Sequence, residues 1–313
     1  MIEVKHFRLL AAIVEHGTLS AAARALGYSQ PAVTQQIQVL ERHLRTPVLV
    51  RSGGGVRLSE AGQVLVRHGA EVLALVARAR AEVEAVADLR AGRVRLACFP
   101  SGAAMVLPRA LGAVGRRHPG LSFSLTETEP VGAYDLLRRG EVDVAVVYHY
   151  RSREDGASPD LRPDETAATL LEEAVHVALP AGHPAAQQPA VDLADLRADR
   201  WIAGCPQCRG HLVAACGAVG YEPDIAFETD DYAALQALAA AGLGVALLPE
   251  LMHAAARADP NLVVRRLRPV SIRVAQAVTT TGLLRVPAVA QTMQALVEAA
   301  RAVELDPVGE PGC

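Results

Sequence analysis

From residue 93 onward the chain alternates short β-branched runs with helical stretches, and before residue 93 it does not. RVRLACF at 93–99, LSFSLTE at 121–127 and VDVAVVY at 142–148 are separated by helical patterns over 102–117 and 131–139. Such alternation predicts a parallel α/β layer whose ligand-facing loops lie at the strand C-termini. A second set begins with AVHVAL at 174–179 and continues through WIA at 201–203, a helix over 207–219, DIAFETD at 224–230, a helix over 231–241 and VALLP at 245–249. The chain then returns through LVVRRL and VAQAVTT to a last helix over 287–302, a return that completes the first lobe's sheet. The expected body therefore spans 93–302, with one lobe at about 93–165 and 270–302 and the other at about 166–269. Residues 303–313 read as a frayed tail.

The first 92 residues carry helical periods instead. Phe7, Leu10, Ala11 and Val14 share one face, Gly17-Thr18-Leu19-Ser20 interrupts, and Leu19, Ala22, Ala23 and Leu26 resume the period. After Gly27, Ser29 can cap a third helix that has Pro31 in its first turn, where a missing N–H is harmless. Its apolar stripe is Val33, Ile37, Leu40 and Leu44, which leaves Pro31, Gln35, Gln38 and Arg42 on the far side with Thr34 at the flank. Amide and hydroxyl groups form paired donor–acceptor contacts with base edges, whereas cationic side chains mostly hold phosphates. A solvated polar face is the plainer reading of three glutamines, but their setting favours a base reader behind a helix-turn-helix. RSGGGVRL at 51–58 follows as two extended pieces around a glycine turn with an arginine on each, the composition of a wing that grips the DNA backbone or minor groove. The predicted DNA-contacting set is Ser29, Gln30, Pro31, Thr34, Gln35, Gln38, Arg51 and Arg57.

Residues 1–58 thus form the head, and 59–92 a linker helix capped by Ser59. Leu65, Val72, Val76, Ala79, Val83 and Val86 step by seven, four, three, four and three, the spacing of a seam that pairs with a second helix. Packing against the chain's own body is the rival explanation.

Charge agrees with this division. Residues 1–67 hold eight basic and four acidic side chains, so a net −3 chain divides into a +4 head and a −7 body. A basic head on an acidic body suits a protein that meets phosphates at one end. At 313 residues, with 51% hydrophobic and 21% charged residues, the chain predicts two or three domains with a sizeable core. Neither a signal peptide nor a membrane-spanning apolar run is read, so a cytoplasmic protein with reduced cysteines is expected.

The stretch from His6 to Leu44, the Pro47-Val48-Leu49 approach, the RSGGGVRLSEAG wing and cap, and GLGVALLPE at 242–250 together resemble the LysR-type transcriptional regulators. The resemblance covers nearly the whole chain. It implies an all-α winged helix-turn-helix with a linker helix, followed by a two-lobed α/β domain similar to periplasmic solute-binding proteins. It further implies operator DNA and a small-molecule effector as partners, a homodimer paired into a homotetramer, RNA polymerase as a further candidate partner, and no membrane association. Where many relatives carry arginine after the position of Thr34, this chain carries Gln35, a side chain matched to adenine rather than guanine. Carried over residue by residue, effector contacts are expected at Ser101 and Gly102, Thr128 and Glu129, Ala203 and Gly204, and Thr229, Asp230 and Asp231. Taken singly, Ser101 and the Thr229–Asp231 group read more plainly as helix caps.

No hydrolase elbow, zinc-protease motif, phosphate loop or dinucleotide fingerprint is present, so an enzyme is not expected and no cofactor is called for. A solute-binding protein without DNA function is the second class, opposed by the glutamine helix and the wing. CPQCRGHLVAAC at 205–216 leaves three readings. A structural role is favoured for Cys205, Cys208, His211 and Cys216, a reversible Cys205–Cys208 disulfide comes next, and a metal-responsive site comes last, because His211 and Cys216 point apart on a helix. No metal site is therefore assigned.

Overall fold

Capping residues set the boundaries of the head. Helix α1 (Val4–His16) stops where Gly17 takes φ 72°, and the Thr18 hydroxyl accepts the Ala21 N–H to start α2 (Leu19–Ala25). Gly27 turns the chain, again at φ 72°, a conformation that side-chain-bearing residues rarely adopt. Ser29 then accepts the Ala32 N–H, and α3 (Gln30–Leu44) begins with Pro31 in its first turn. Leu9, Leu10, Ile13, Ala22, Ala23, Val33, Ile37, Leu40 and Val48 form the core of the head. Strands β1 (Leu49–Ser52) and β2 (Gly55–Leu58) pair antiparallel, Leu49 opposite Leu58, as the wing. The Ser59 hydroxyl donates to the Pro47 carbonyl and accepts the Gly62 N–H, which fixes the start of α4 (Glu60–Ala87) against the wing.

This computed structural model describes residues 1–52, 55–151, 161–255 and 259–305. Gly53 and Gly54 of the expected wing turn, the Arg51 side chain, and most of the expected tail lie outside the described residues. The chain divides into one unit from Met1 to Val86 and another from Ala87 onward.

The second unit holds one mixed sheet. Strands β3 (Gly92–Cys98), β4 (Leu121–Glu127) and β5 (Val144–Tyr150) are parallel, with α5 (Pro100–Met105), α6 (Leu107–Arg117) and α7 (Pro130–Arg138) between them. The single helix expected over 102–117 is two, because Pro108 has no N–H to continue a helix and sits instead in the first turn of α6. Next come β6 (Glu165–Pro180), β7 (Ala190–Asp192), β8 (Arg200–Ala203), α8 (Pro206–Ala218), β9 (Asp224–Glu228), α9 (Tyr232–Ala240), β10 (Val245–Pro249), α10 (Glu250–Ala255), β11 (Leu262–Thr280) and α11 (Pro287–Arg301). Strand order is β4-β3-β5-β11-β6-β10-β8-β9, with β7 beside β11.

Two long antiparallel strands join the lobes, and this corrects the expected boundary. Residues 165–175 of β6 pair with 271–280 of β11, and that part of β11 also pairs with β5. Residues 176–180 pair with 262–266, while β10 lies on the other side of β6. AVHVAL at 174–179 is therefore the far half of a strand shared by both lobes, not the first strand of the second. Leu170 and Leu171 pack in the first lobe's core, and Val177 and Leu179 in the second's. Alternating apolar residues look the same on both sides of such a crossing, so periodicity alone does not mark it.

Candidate functional sites

In the head, Val33, Ile37 and Leu40 face the core while Ser29, Gln30, Pro31, Gln35, Gln38 and Arg42 are exposed. The Thr34 hydroxyl donates to the Gln30 carbonyl, which orients the side chain at the flank of this face. Arg57 is exposed on β2, and the backbone of Arg51 lies opposite Val56. A groove of about 230 Å³ runs beside α3, lined by Lys5, Arg8, Tyr28 and Gln36 among others. The two cations of that groove were not singled out in the sequence. Their charge was visible there, but not that α1 brings it beside α3.

The C-terminal half of the α4 stripe is uncovered in the single chain. Leu65 packs on the head core, whereas Val83 is 69% and Val86 46% exposed, and Ala79 is exposed as well. Val72 and Val76 are half-buried.

In the second unit, a cavity of about 630 Å³ opens between the lobes, lined by Pro100, Glu127, Thr128, Glu129, Asp230, Asp231, Tyr232, Ala233 and Met252. Four residues singled out in the sequence, Thr128, Glu129, Asp230 and Asp231, come together there. They arrive from the C-terminal ends of β4 and β9, where α7 and α9 begin. Asp231 caps α9 by accepting the Ala233 N–H at 2.8 Å, and the Thr229 hydroxyl accepts the Asp231 N–H. Glu129 does not cap α7; its carboxylate accepts the Tyr148 hydroxyl at 2.9 Å, and burial raises its pKa.

Ser101 and Gly102 stand elsewhere. Ser101 is fully buried and its hydroxyl accepts an N–H of Arg273 at 2.7 Å, so it neither caps α5 nor faces the cavity. Gly102 is packed so closely that a Cβ there would lie 2.9 Å from the Cys98 sulfur. Arg273 is itself fully buried, paired with Glu173 at 2.6 Å and placed 4.6 Å from the centre of the Tyr148 ring. Burial opposes its charge, but Glu173 together with Tyr232, Tyr150 and Tyr148 outweighs this and raises its pKa. No sequence motif announces Arg273, Tyr148 or Tyr150. They occupy ordinary strand positions, and only the sheet order brings them together.

Ala203 and Gly204 border a narrower crevice with Tyr150, Cys208, Tyr232 and Pro249. Here the Cys205 sulfur lies 3.0 Å from that of Cys208 at the start of α8. The Tyr148 hydroxyl is 3.1 Å from Cys205 and 3.2 Å from Cys208, and the Tyr150 hydroxyl is 3.4 Å from Cys208. His211 stacks on Tyr150 at 3.7 Å with its Nε2 by Ser271, and Cys216 is buried in the second lobe's core. The four possible metal donors of the motif thus do not converge.

Comparison with known proteins follows the same division. A family model described as LysR substrate binding domain matches residues 87–301, and one described as bacterial regulatory helix-turn-helix protein, lysR family, matches residues 4–63. The probable HTH-type transcriptional regulator LrrA of Synechococcus elongatus is 31% identical over 289 residues, 92% of this chain and 94% of that protein. The small neutral protease regulatory protein of Streptomyces coelicolor is 33% identical over 292 residues, 90% of this chain and 84% of that protein. Among solved structures, a full-length OxyR from Pseudomonas aeruginosa matches with a TM-score of 0.77 at 21% identity, over 96% of this chain and all of that one. CbnR complexed with its target DNA matches with a TM-score of 0.58 at 24% identity, over 96% of this chain and 100% of that one. At these identities the structural likeness is one of fold.

Proposed function

The chain belongs to the LysR family of transcriptional regulators, and from that premise we propose that α3 reads operator bases through Gln35 and Gln38 while the wing arginines Arg51 and Arg57 hold phosphates. The observation that carries this is the exposed glutamine face opposite the Val33–Ile37–Leu40 stripe. Ser29, Gln30, Pro31 and Thr34 form the approach of the helix to the duplex.

The cavity between the lobes is the effector site, with Thr128, Glu129, Asp230 and Asp231 as contacts. Its volume suits a small molecule. Its carboxylates favour an effector with a positive charge or several hydrogen-bond donors over a dicarboxylate. Ala203, Gly204 and Thr229 shape the second-lobe edge without lining the cavity, and Ser101 and Gly102 act behind it. The α4 seam pairs two chains, and pairing through the second units makes a tetramer. Operator binding by such an assembly is the activity, and no catalytic role is assigned.

The test is a gel shift with the DNA upstream of the chain's own gene and single-base operator variants. Gln35→Ala is expected to lose about 1–3 kcal/mol of discrimination at one base pair. Arg57→Ala should weaken all sites alike and flatten the salt dependence. Unchanged preferences in Gln35→Ala would remove the base-reading role from this face.

A further inference from the structure

Two thiols in contact, with phenol hydroxyls directed at them across the interlobe crevice, are more than core packing requires. Cys205 is buried at the N-cap of α8 and its sulfur accepts the Cys208 N–H at 3.3 Å. Tyr148 and Tyr150 come from β5 in the first lobe, whereas both cysteines belong to the second, so these hydrogen bonds tie lobe to lobe. We propose that Cys205 and Cys208 are an oxidation site at which a small hydroperoxide converts the two thiols into a disulfide and so releases this tie between the lobes.

Asymmetry within the pair assigns the roles. The Cys205 S–H donates to Cys208, and together with Tyr148, Tyr150 and nearby Arg273 this outweighs burial and lowers the Cys208 pKa to about 5. The same hydrogen bond, with burial, pushes Cys205 up and keeps it a thiol. Cys208 is the nucleophile and Cys205 the resolving group. Cys98 and Cys216 are buried and held protonated by burial.

The crevice bordered by Gly204, Cys208 and Tyr232 is narrow, which favours a small hydroperoxide over a bulky disulfide such as oxidised glutathione. The Cys208 thiolate attacks one peroxide oxygen and the O–O bond breaks. The other oxygen leaves as water after taking a proton, and Cys208 becomes a sulfenic acid. The Cys205 sulfur then attacks the Cys208 sulfur, the S–S bond forms, and the sulfenic oxygen leaves as water with the Cys205 proton. Two thiols lose two electrons and two protons, and one peroxide yields two waters. The Cys208 thiolate accepts a charge-assisted hydrogen bond from Tyr150 that a disulfide sulfur does not, while the single Tyr148 proton goes to Glu129. Oxidation thereby removes the Tyr150–Cys208 hydrogen bond between the lobes beside the effector cavity.

The experiment uses reduced full-length protein, hydrogen peroxide and intact-mass counting of alkylatable thiols. The expected result is loss of two thiols, restored by dithiothreitol, with Cys205 and Cys208 joined in the peptide map. Cys205→Ser should stop at a sulfenic acid on Cys208 that dimedone captures, and Cys208→Ser should keep its remaining thiols reduced. On unoxidised protein, iodoacetamide labelling of Cys208 should show a midpoint well below the ordinary thiol range. No loss of thiols in the wild-type protein, a bond between other cysteines, or a Cys208 midpoint in the ordinary thiol range each overturns the proposal. The readout is chemical, so it stands or falls apart from the effector and operator assignments.

Discussion

His211 is held neutral by its surroundings. Its ring lies flat on Tyr150, its Nε2 is 2.5 Å from the Ser271 hydroxyl, and burial lowers its pKa from 6.5 to about 4. Above pH 6.5 the ring is neutral whether the chain is folded or not. As pH falls from 6.5 towards 4 the unfolded chain binds a proton that the folded one refuses, so stability declines through that window. Linkage puts the loss at about 2 kcal/mol by pH 5. His149 is lowered by burial in the same direction, so the measurement is a difference. The urea midpoint at pH 7 and at pH 5 should fall less for His211→Phe, which keeps the stacked ring, than for the wild type. Equal acid sensitivity in the two proteins would remove His211 as a source. The lesson at this scale concerns Ser101. A serine after a strand reads as a cap or a ligand contact, and it is neither, because a buried guanidinium from a strand 172 residues away takes its hydroxyl.

Among the elements, α4 is the one whose sequence states an unmet requirement. Its buried residues are only Gly62 and Gly69, and a Cβ at Gly62 would fall 2.2 Å from the Val48 carbonyl oxygen, so the helix begins locked to the wing. Further along, Leu75, Val83 and Val86 are exposed, an arrangement that burial against a second copy would relieve. A charge introduced in that seam would lose its hydration without gaining a partner, at a cost of several kcal/mol. Val76→Asp is therefore expected to sediment as a smaller species and to bind operator DNA more weakly. Unchanged sedimentation together with unchanged operator affinity would place the dimer contact elsewhere. The seven-four-three spacing was legible because helical period is a local property. Its partner was not, because a second chain leaves no mark on the sequence of the first beyond the stripe itself.

For the whole molecule, effector response is a matter of two lobes on one sheet. β6 and β11 run through both lobes, so any change in the cleft is carried by strands rather than by a free linker. A ligand shifts such an equilibrium only by its differential affinity for the two arrangements. Thr128→Trp, which fills the cavity from the first lobe, should abolish the response of operator binding to the effector while leaving effector-free binding at the wild-type level. A normal response at wild-type effector concentrations would mean the ligand binds outside this cavity.

Local signals in the sequence determined most of what the head is. Ser29, Pro31 and the Val33–Ile37–Leu40 stripe are a cap, a helix start and a helical period, and each is decided within a few residues. The strand ends that carry Thr128, Glu129, Asp230 and Asp231 were singled out by family resemblance; β4 and β9 lie at opposite ends of the sheet order, so their meeting at one cavity is a tertiary outcome. Tertiary structure alone decided the rest: that residues 166–174 belong with the first lobe, that Arg273 and Glu173 meet, and that two tyrosines of β5 reach two cysteines of α8. Those pairings join residues far apart in the chain. They are held by backbone strand pairing, ion pairing and side-chain hydrogen bonds across the sheet, which no local pattern of residues encodes.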